Sequence, residues 1–314
     1  MNKTILSSIF LSTILVFAIL VTSSALVSAS WFSWITGKAT TQAETLNVTI
    51  SDSPPQITAV FPNVATGVAV TPTEAGATYT LINFSVTDPD GYANLLDSTA
   101  KINITRTGEI MRTNNTCIRY QQGGNNANYS CTIDLWYFDG AGIWNLSTWI
   151  SDASYLNSTN SSDNISYSQL QAFVRGPATT TFASISPGIS NTTTNNGPLL
   201  LNNTGNYAVT AGNLLINSTN LRGETNSTFA IWANNMSVGN QSGSNSCGSQ
   251  AQNATAMSLD AYANLNTVLN RGNFTYNNGT AQAGLYTCIR FVGNELPSQA
   301  YSTSNESGWT LKIQ

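Results

Sequence analysis

A two-residue alternation of apolar and polar side chains, with Asn-x-Ser/Thr sequons at polar positions, most restricts the fold of this chain. The alternation is plainest in three segments, Asn47–Ile50, Ile82–Val86 and Ile102–Thr105. In each segment apolar side chains occupy one face and a sequon asparagine the other, the pattern of a strand with one buried face. Because an N-glycan needs a surface position, the sequons and the alternation predict the same outward face. Val48 and Ile50 are accordingly predicted to lie in the core.

The number of sequons is itself informative. Nineteen follow residue 29, about twice the number that the Asn, Ser and Thr content gives by chance. Only 8% of the residues are charged, so dense glycans would supply the hydration that charged side chains usually provide. The alternative is that Asn and Ser merely fill turns and polar strand faces. The sequon asparagines are Asn47, Asn83, Asn103, Asn114, Asn128, Asn145, Asn157, Asn160, Asn164, Asn191, Asn202, Asn217, Asn226, Asn235, Asn240, Asn253, Asn273, Asn278 and Asn305.

The N-terminus has the composition of a secretory signal. A basic start at Met1–Lys3 precedes an apolar stretch, and the small residues Val27–Ala29 follow it. We predict a signal peptide over residues 1–29 and an extracellular or cell-surface location. The alternative is an uncleaved anchor, which would make this segment the chain's one contact with the membrane.

The remaining chain is predicted to be all-β, in two tandem β-sandwich domains. Many short candidate strands separated by turn residues are typical of such sandwiches, and the length suits about two domains. Residues 30–44 would form a tether, 45–175 the first domain and 178–314 the second, with a junction at Arg175–Ala178.

A hairpin is predicted between Cys131–Phe138 and Ile143–Ile150, joined by a four-residue loop. This register places Trp136, Asn145 and Trp149 on one face. Exposed tryptophans stack on the apolar faces of sugar rings, so Trp136 and Trp149 are candidate ligand-binding residues. The alternative is that another strand or the second domain covers them.

The four cysteines are predicted to form structural disulfides. Four cysteines allow three pairings, and Cys117–Cys131 with Cys247–Cys288 places one bridge in each domain. Disulfides are expected in a secreted chain. A metal site is disfavoured because the sequence has neither a C-x-x-C motif nor a histidine.

Composition also limits the chemistry of the chain. Without histidine there is no imidazole base and no Ser-His-Asp or Cys-His system, so we predict no enzymatic activity. After removal of residues 1–29, 10 basic and 15 acidic residues remain, a net charge of −5. Since there is no basic stripe, nucleic acid is not an expected partner. Other surface proteins, glycans and further copies of the chain are the expected ones.

One turn offers ligands for a cation. Asp88 and Asp90 flank a proline and precede a glycine, and their carboxylates could bind Ca²⁺ with help from Asp52 or Asp152. The alternative is an ordinary turn. No other cofactor is predicted.

Three motifs connect the first domain to a known class. The segments Ser53–Ile57, Val86–Gly91 and Gly142–Trp144, with Ser151-Asp152 downstream, resemble immunoglobulin-like modules of archaeal and bacterial cell-surface glycoproteins. The resemblance covers about residues 50–155. It implies an extracellular β-sandwich used for spacing, adhesion or coat building, such as a surface layer, and the sequon density suggests an archaeal origin. The leading hypothesis is a structural or coat protein, and the alternative is an adhesin or carbohydrate-binding module.

Overall fold

The computed structural model describes residues 46–64, 68–248, 254–272 and 281–314. The predicted signal or anchor and the tether up to residue 44 lie outside these ranges. The chain divides into two compact units, Met1–Ser51 and Asp52–Gln314. In the described ranges no helix has the length and apolar character needed to span a membrane.

The described residues are all-β, with three short 3₁₀ turns and no α-helix. The strands of the first half are β1 (Gln56–Pro62), β2 (Ala77–Thr87), β3 (Leu95–Thr105), β4 (Arg112–Asn114), β5 (Ile118–Gly123), β6 (Asn126–Trp136), β7 (Gly142–Asp152), β8 (Asn157–Asn160) and β9 (Asn164–Tyr167). The strands of the second half are β10 (Phe173–Gly176), β11 (Ser190–Thr193), β12 (Leu199–Asn203), β13 (Leu214–Asn217), β14 (Leu221–Gly223), β15 (Ala230–Ile231), β16 (Met236–Gly239), β17 (Ala254–Ala256), β18 (Tyr262–Leu265), β19 (Gln282–Phe291), β20 (Tyr301–Ser302) and β21 (Thr310–Ile313).

The first half is a sandwich of two antiparallel sheets. Sheet one has the order β1-β2-β6-β5, and sheet two has the order β4-β3-β7-β8 with β9 also paired to β7. Their inner faces share one core, in which Phe84 and Tyr129 of sheet one face Trp144 and Leu146 of sheet two. Phe84 stacks on Tyr129 with ring centroids 5.1 Å apart. The alternation predicted for Ile82–Val86 and Ile102–Thr105 is confirmed, because the apolar members of both segments are buried.

The hairpin predicted between Cys131–Phe138 and Ile143–Ile150, which correspond to β6 and β7, is wrong. Strand β6 pairs with β2 and β5, and β7 pairs with β3, β8 and β9, so the two belong to different sheets. Asp139 explains the crossing. Its buried carboxylate accepts hydrogen bonds from the Trp136 backbone N–H (2.7 Å) and the Arg112 Nε (3.0 Å), while the indole of Trp144 donates to the Gly140 carbonyl at 3.0 Å. These bonds redirect the chain from one sheet to the other.

The prediction that Val48 and Ile50 are core residues is also wrong. Their side chains are 77% and 87% exposed, and residues 46–50 form no strand. They belong to the compact unit that ends at Ser51. Local alternation alone therefore does not identify a buried face, because burial also needs a partner sheet.

The second half has a core of its own, built from three sheets. Strand β19 is its central element, since β12 pairs with residues 282–285 and β16 with Tyr286–Ile289. The boundary predicted at 175–178 stays a prediction. Strand β10 pairs with β12, which places Phe173–Gly176 in the second group of sheets.

Polar contacts join the two halves. The buried side chain of Asn206 donates to the Ser168 carbonyl (2.9 Å) and accepts from the Leu170 N–H (2.7 Å). Arg271 donates to the Phe138 carbonyl (2.6 Å) and forms an ion pair with Glu109, whose side chain is buried. These contacts link both cores within one compact unit.

Strand β7 provides a matched test of the sandwich. Ile150→Ala removes a fully buried side chain and should lower the free energy of unfolding by about 2–4 kcal/mol. Ile143→Ala removes an exposed side chain on the outer face of the same strand and should change it by less than about 0.5 kcal/mol. Chemical denaturation of both variants checks this, and equal losses would contradict the assigned faces.

Candidate functional site

The sequon asparagines in the described part of the chain share one property, which is that none of them is buried. Sixteen of the nineteen are described, and each is exposed or half-buried. Asn253, Asn273 and Asn278 lie outside the described residues. Three other asparagines, Asn203, Asn206 and Asn220, are buried, and none of them begins a sequon. No described sequon asparagine is buried, although most of the other described asparagines, Asn234 and Asn294 among them, are exposed or half-buried as well.

Sequons are concentrated on the outer face of sheet two. Asn145 on β7 lies opposite Asn164 on β9, and both side chains are exposed. Asn103 on β3 lies opposite Ser147 on the same face. Sugars attached here would cover neighbouring strands of one surface.

Sheet one presents a different outer face. It carries the sequon residues Asn83 and Asn128, two residues out of register on β2 and β6. It also exposes large apolar side chains, which are Phe61, Tyr79, Leu81, Ile118 and Trp136. The two outer faces of the sandwich therefore differ in chemistry, one rich in sequons and the other rich in apolar groups.

Three sequons adopt a common local geometry. The Thr116 hydroxyl donates to the Asn114 Oδ1 at 2.9 Å, and the Thr228 hydroxyl donates to the Asn226 Oδ1 at 2.6 Å. At the third sequon, the Ser162 hydroxyl donates to the Asn160 Oδ1 at 2.6 Å. These bonds engage the amide oxygen, and an N-glycan is attached to the amide nitrogen.

The structure separates the two candidate ligand-binding tryptophans. Trp136 points outward from sheet one and Trp149 outward from sheet two, so the predicted common face is wrong for Trp136, while Asn145 and Trp149 do share a face. The cause is the sheet crossing at Asp139. Trp149 is half-buried beneath the Lys101 ammonium, which lies 5.0 Å from the ring centroid.

Trp136 belongs to a small aromatic cluster that the sequence pattern did not predict. Its ring stacks on Phe138 with centroids 5.9 Å apart, and Tyr79 lies on the neighbouring strand of the same face. Burial raises the pKa of the adjacent Asp139 carboxyl, although the Arg112 guanidinium opposes this shift.

Both predicted disulfides are present. Cys117–Cys131 joins the entrance of β5 to β6, and Cys247–Cys288 ties a 3₁₀ turn to the central strand β19. Each bridge lies within one half of the chain. Both contribute stability mainly by restricting the unfolded state.

The predicted pair Asp88 and Asp90 lies at one end of the first sandwich. Burial raises the pKa of Asp88, and the negative charges of Asp90, Asp152 and Asp52 add to that rise, while a hydrogen bond from the Asp90 backbone N–H opposes it. Hydrogen bonds lower the pKa of Asp52, the largest effect coming from Ser154. All four carboxylates named in the sequence analysis thus meet here. Across the described ranges, no group of three or more acidic, cysteine or histidine side chains is arranged to hold a metal ion.

No family model and no curated protein matches this sequence. Among solved structures, the PKD domain of an M14-like peptidase from a Thermoplasmatales archaeon is 18% identical and matches 37% of this chain and 98% of its own, with a TM-score of 0.22. Dimeric latent PorU from Porphyromonas gingivalis is 9% identical and matches 83% of this chain, with a TM-score of 0.27. This chain spans 20% of PorU. Both scores are low, so the fold assignment depends on the strands, sheets and cores described above.

Substitutions at two asparagines test whether an exposed sequon position and a buried position differ in their contribution to stability. In unglycosylated protein, Asn145→Gln alters an exposed side chain and should change the free energy of unfolding by less than about 0.5 kcal/mol. Asn206→Gln disrupts two buried hydrogen bonds and should cost about 2–4 kcal/mol. Denaturant titration measures both, and a large loss for the Asn145 variant would show that this sequon has a structural role.

Proposed function

We propose that this chain is a non-catalytic, N-glycosylated cell-surface protein with a structural or coat role. It would be built from two tandem immunoglobulin-like β-sandwich domains and held outside the cell, either secreted or anchored by its N-terminal segment. Its partners would be other surface proteins, glycans or further copies of itself.

The position of the sequons carries this proposal. Each of the sixteen described sequon asparagines is exposed or half-buried, and none of the three buried asparagines begins a sequon. Exposure alone would also fit asparagines that only fill turns and polar faces. The number of sequons, about twice what the Asn, Ser and Thr content gives by chance, together with their unburied positions supports sites that can carry a sugar.

The surface chemistry supports the same role. The chain has 11 basic and 15 acidic residues among 314, too few to provide the usual charged, soluble surface. Sugars on Asn145 and Asn164 would hydrate sheet two and hinder strand-to-strand association at its edge. Two disulfides are also consistent with an oxidising, extracellular environment.

The connection between the halves suits a load-bearing spacer. Asn206, buried between Ser168 and Leu170, and the Arg271–Glu109 ion pair fix one half against the other. A flexible linker would instead allow the domains to move independently. A stiff, glycan-covered module is what a coat or stalk requires.

Removal of two opposing sequons tests the glycan role. In protein made by the native host, Asn145→Gln with Asn164→Gln should leave the melting temperature within about 2 °C and increase aggregation measured by light scattering. The matched control is Asn234→Gln with Asn294→Gln, since both are exposed and neither begins a sequon. Equal aggregation of the two double variants would contradict the proposal.

The aromatic cluster supports a second candidate, carbohydrate binding by the first sandwich. Trp136 is 39% exposed, stacks on Phe138 and lies near the exposed Tyr79, and such rings can contact the apolar face of a sugar. Binding would then be independent of Trp149, on the other sheet.

Glycan-array measurements with Trp136→Ala and the control Trp149→Ala test this second candidate. Loss of binding by about 5- to 30-fold in the first variant alone would support it, because a stacked aromatic contributes about 1–2 kcal/mol. Retained binding in the Trp136 variant, or no glycan bound by the unaltered chain, would exclude it.

A further inference from the structure

Three separate segments bring four aspartates to one end of the first sandwich. Asp52 precedes β1, Asp88 and Asp90 follow β2, and Asp152 ends β7. The Ser53 backbone N–H donates to the Asp90 Oδ2 at 2.7 Å. These contacts connect the segment before β1 to the turn after β2.

Asn94 completes the connection to the third segment. Its side-chain amide donates to the Asp52 Oδ1 at 3.1 Å, and its backbone carbonyl accepts from the Ala153 N–H at 2.8 Å. The three segments therefore form one cluster that is defined by hydrogen bonds as well as by charge.

Two of these carboxylates are buried with one oxygen left over. Asp88 and Asp152 are fully buried. The Asp88 Oδ1 accepts from the Asp90 N–H, and the Asp152 Oδ1 accepts from the Leu156 N–H, both at 2.9 Å. The second oxygen of each carboxylate, Oδ2, is buried and has no hydrogen-bond partner in the described part of the chain. A buried, unpaired carboxylate oxygen is costly, so its presence at both Asp88 and Asp152 calls for a ligand.

Acidic side chains outnumber basic ones at this end. Asp52, Asp88, Asp90 and Asp152 belong to the hydrogen-bonded segments described above, whereas Arg119 donates to the Tyr92 carbonyl at 2.8 Å and pairs with Asp97. Four carboxylates held together repel one another, and a bound cation would turn this repulsion into attraction.

We propose that Ca²⁺ binds at this end of the sandwich, between the Oδ2 atoms of Asp88 and Asp152. The half-buried carboxylate of Asp52, the exposed carboxylate of Asp90, neutral oxygens of the same turns and water would complete its shell. The site does not depend on the coat role proposed above.

The donor set selects calcium among common cations. All the available ligands are hard oxygens, the chain has no histidine, and its four cysteines form disulfides, which disfavours zinc and copper. Calcium accepts six to eight oxygens in flexible geometry, whereas magnesium demands a near-octahedral shell. With two buried carboxylates and two more accessible ones that must adjust, we expect an affinity of about 10⁻⁴–10⁻³ M, the range of extracellular modules.

Thermal unfolding of the full chain tests the proposal. After treatment with EDTA, 10 mM CaCl₂ should shift the unfolding equilibrium by about 10- to 100-fold towards the folded state, as linkage predicts for this affinity. Equal MgCl₂ should have a smaller effect. Isothermal titration with CaCl₂ should show one site per chain.

Asparagine variants locate the ion. Asp88→Asn and Asp152→Asn should abolish the calcium response and still fold, since each amide removes repulsion at nearly the same volume. Asp134→Asn is the matched control, because Asp134 is exposed on β6 of the same sandwich, and it should keep the full response. Circular dichroism in EDTA confirms the fold of each variant. No calcium response in the unaltered chain, or an undiminished response in both the Asp88 and Asp152 variants, would overturn the proposal.

Discussion

The burial of alternating side chains between two sheets is the constraint on which the first half depends. Strand β2 pairs with β6 over eleven residues, and β7 supplies Trp144, Leu146 and Ile150 from the opposite sheet. A shift of one residue would move sequon asparagines such as Asn83 into the core. The register therefore fixes the core and, with it, the face on which sugars can be carried.

The crossing at Asp139 determines what the two outer faces become. Because the chain leaves sheet one after Trp136 and enters sheet two at Gly142, the aromatic cluster and the Asn145 sequon are separated by the thickness of the sandwich. The outer face of sheet two is then suited to carrying glycans, and the outer face of sheet one, with its exposed apolar side chains, is suited to contact with a partner. The end with Asp52, Asp88 and Asp152 is a third chemical region, where negative charge is concentrated rather than dispersed.

Local sequence pattern predicted what depends on neighbours along the chain. The alternation in β2 and β3, the outward sequons and the two disulfide pairs are all present. The hairpin prediction failed because adjacent strands can pair with each other or cross to another sheet, and the bonds of Asp139 to Trp136 and Arg112 that decide this are not visible in a pattern of period two. The prediction that Val48 and Ile50 are buried failed for a related reason. Alternation shows which side chains share a face, but it does not show whether another sheet covers that face. Asp52 and Asp152 could be suspected as partners of Asp88, but their meeting depends on the ends of β1, β2 and β7 lying together.

Glycopeptide mass spectrometry on protein from the native cell-surface fraction tests the central claim most directly. The account predicts sugar on most of the sixteen described sequon asparagines, including Asn145 and Asn164 on sheet two. Unmodified peptides at these positions would contradict it, and the asparagine-rich faces would then have to serve as protein contacts.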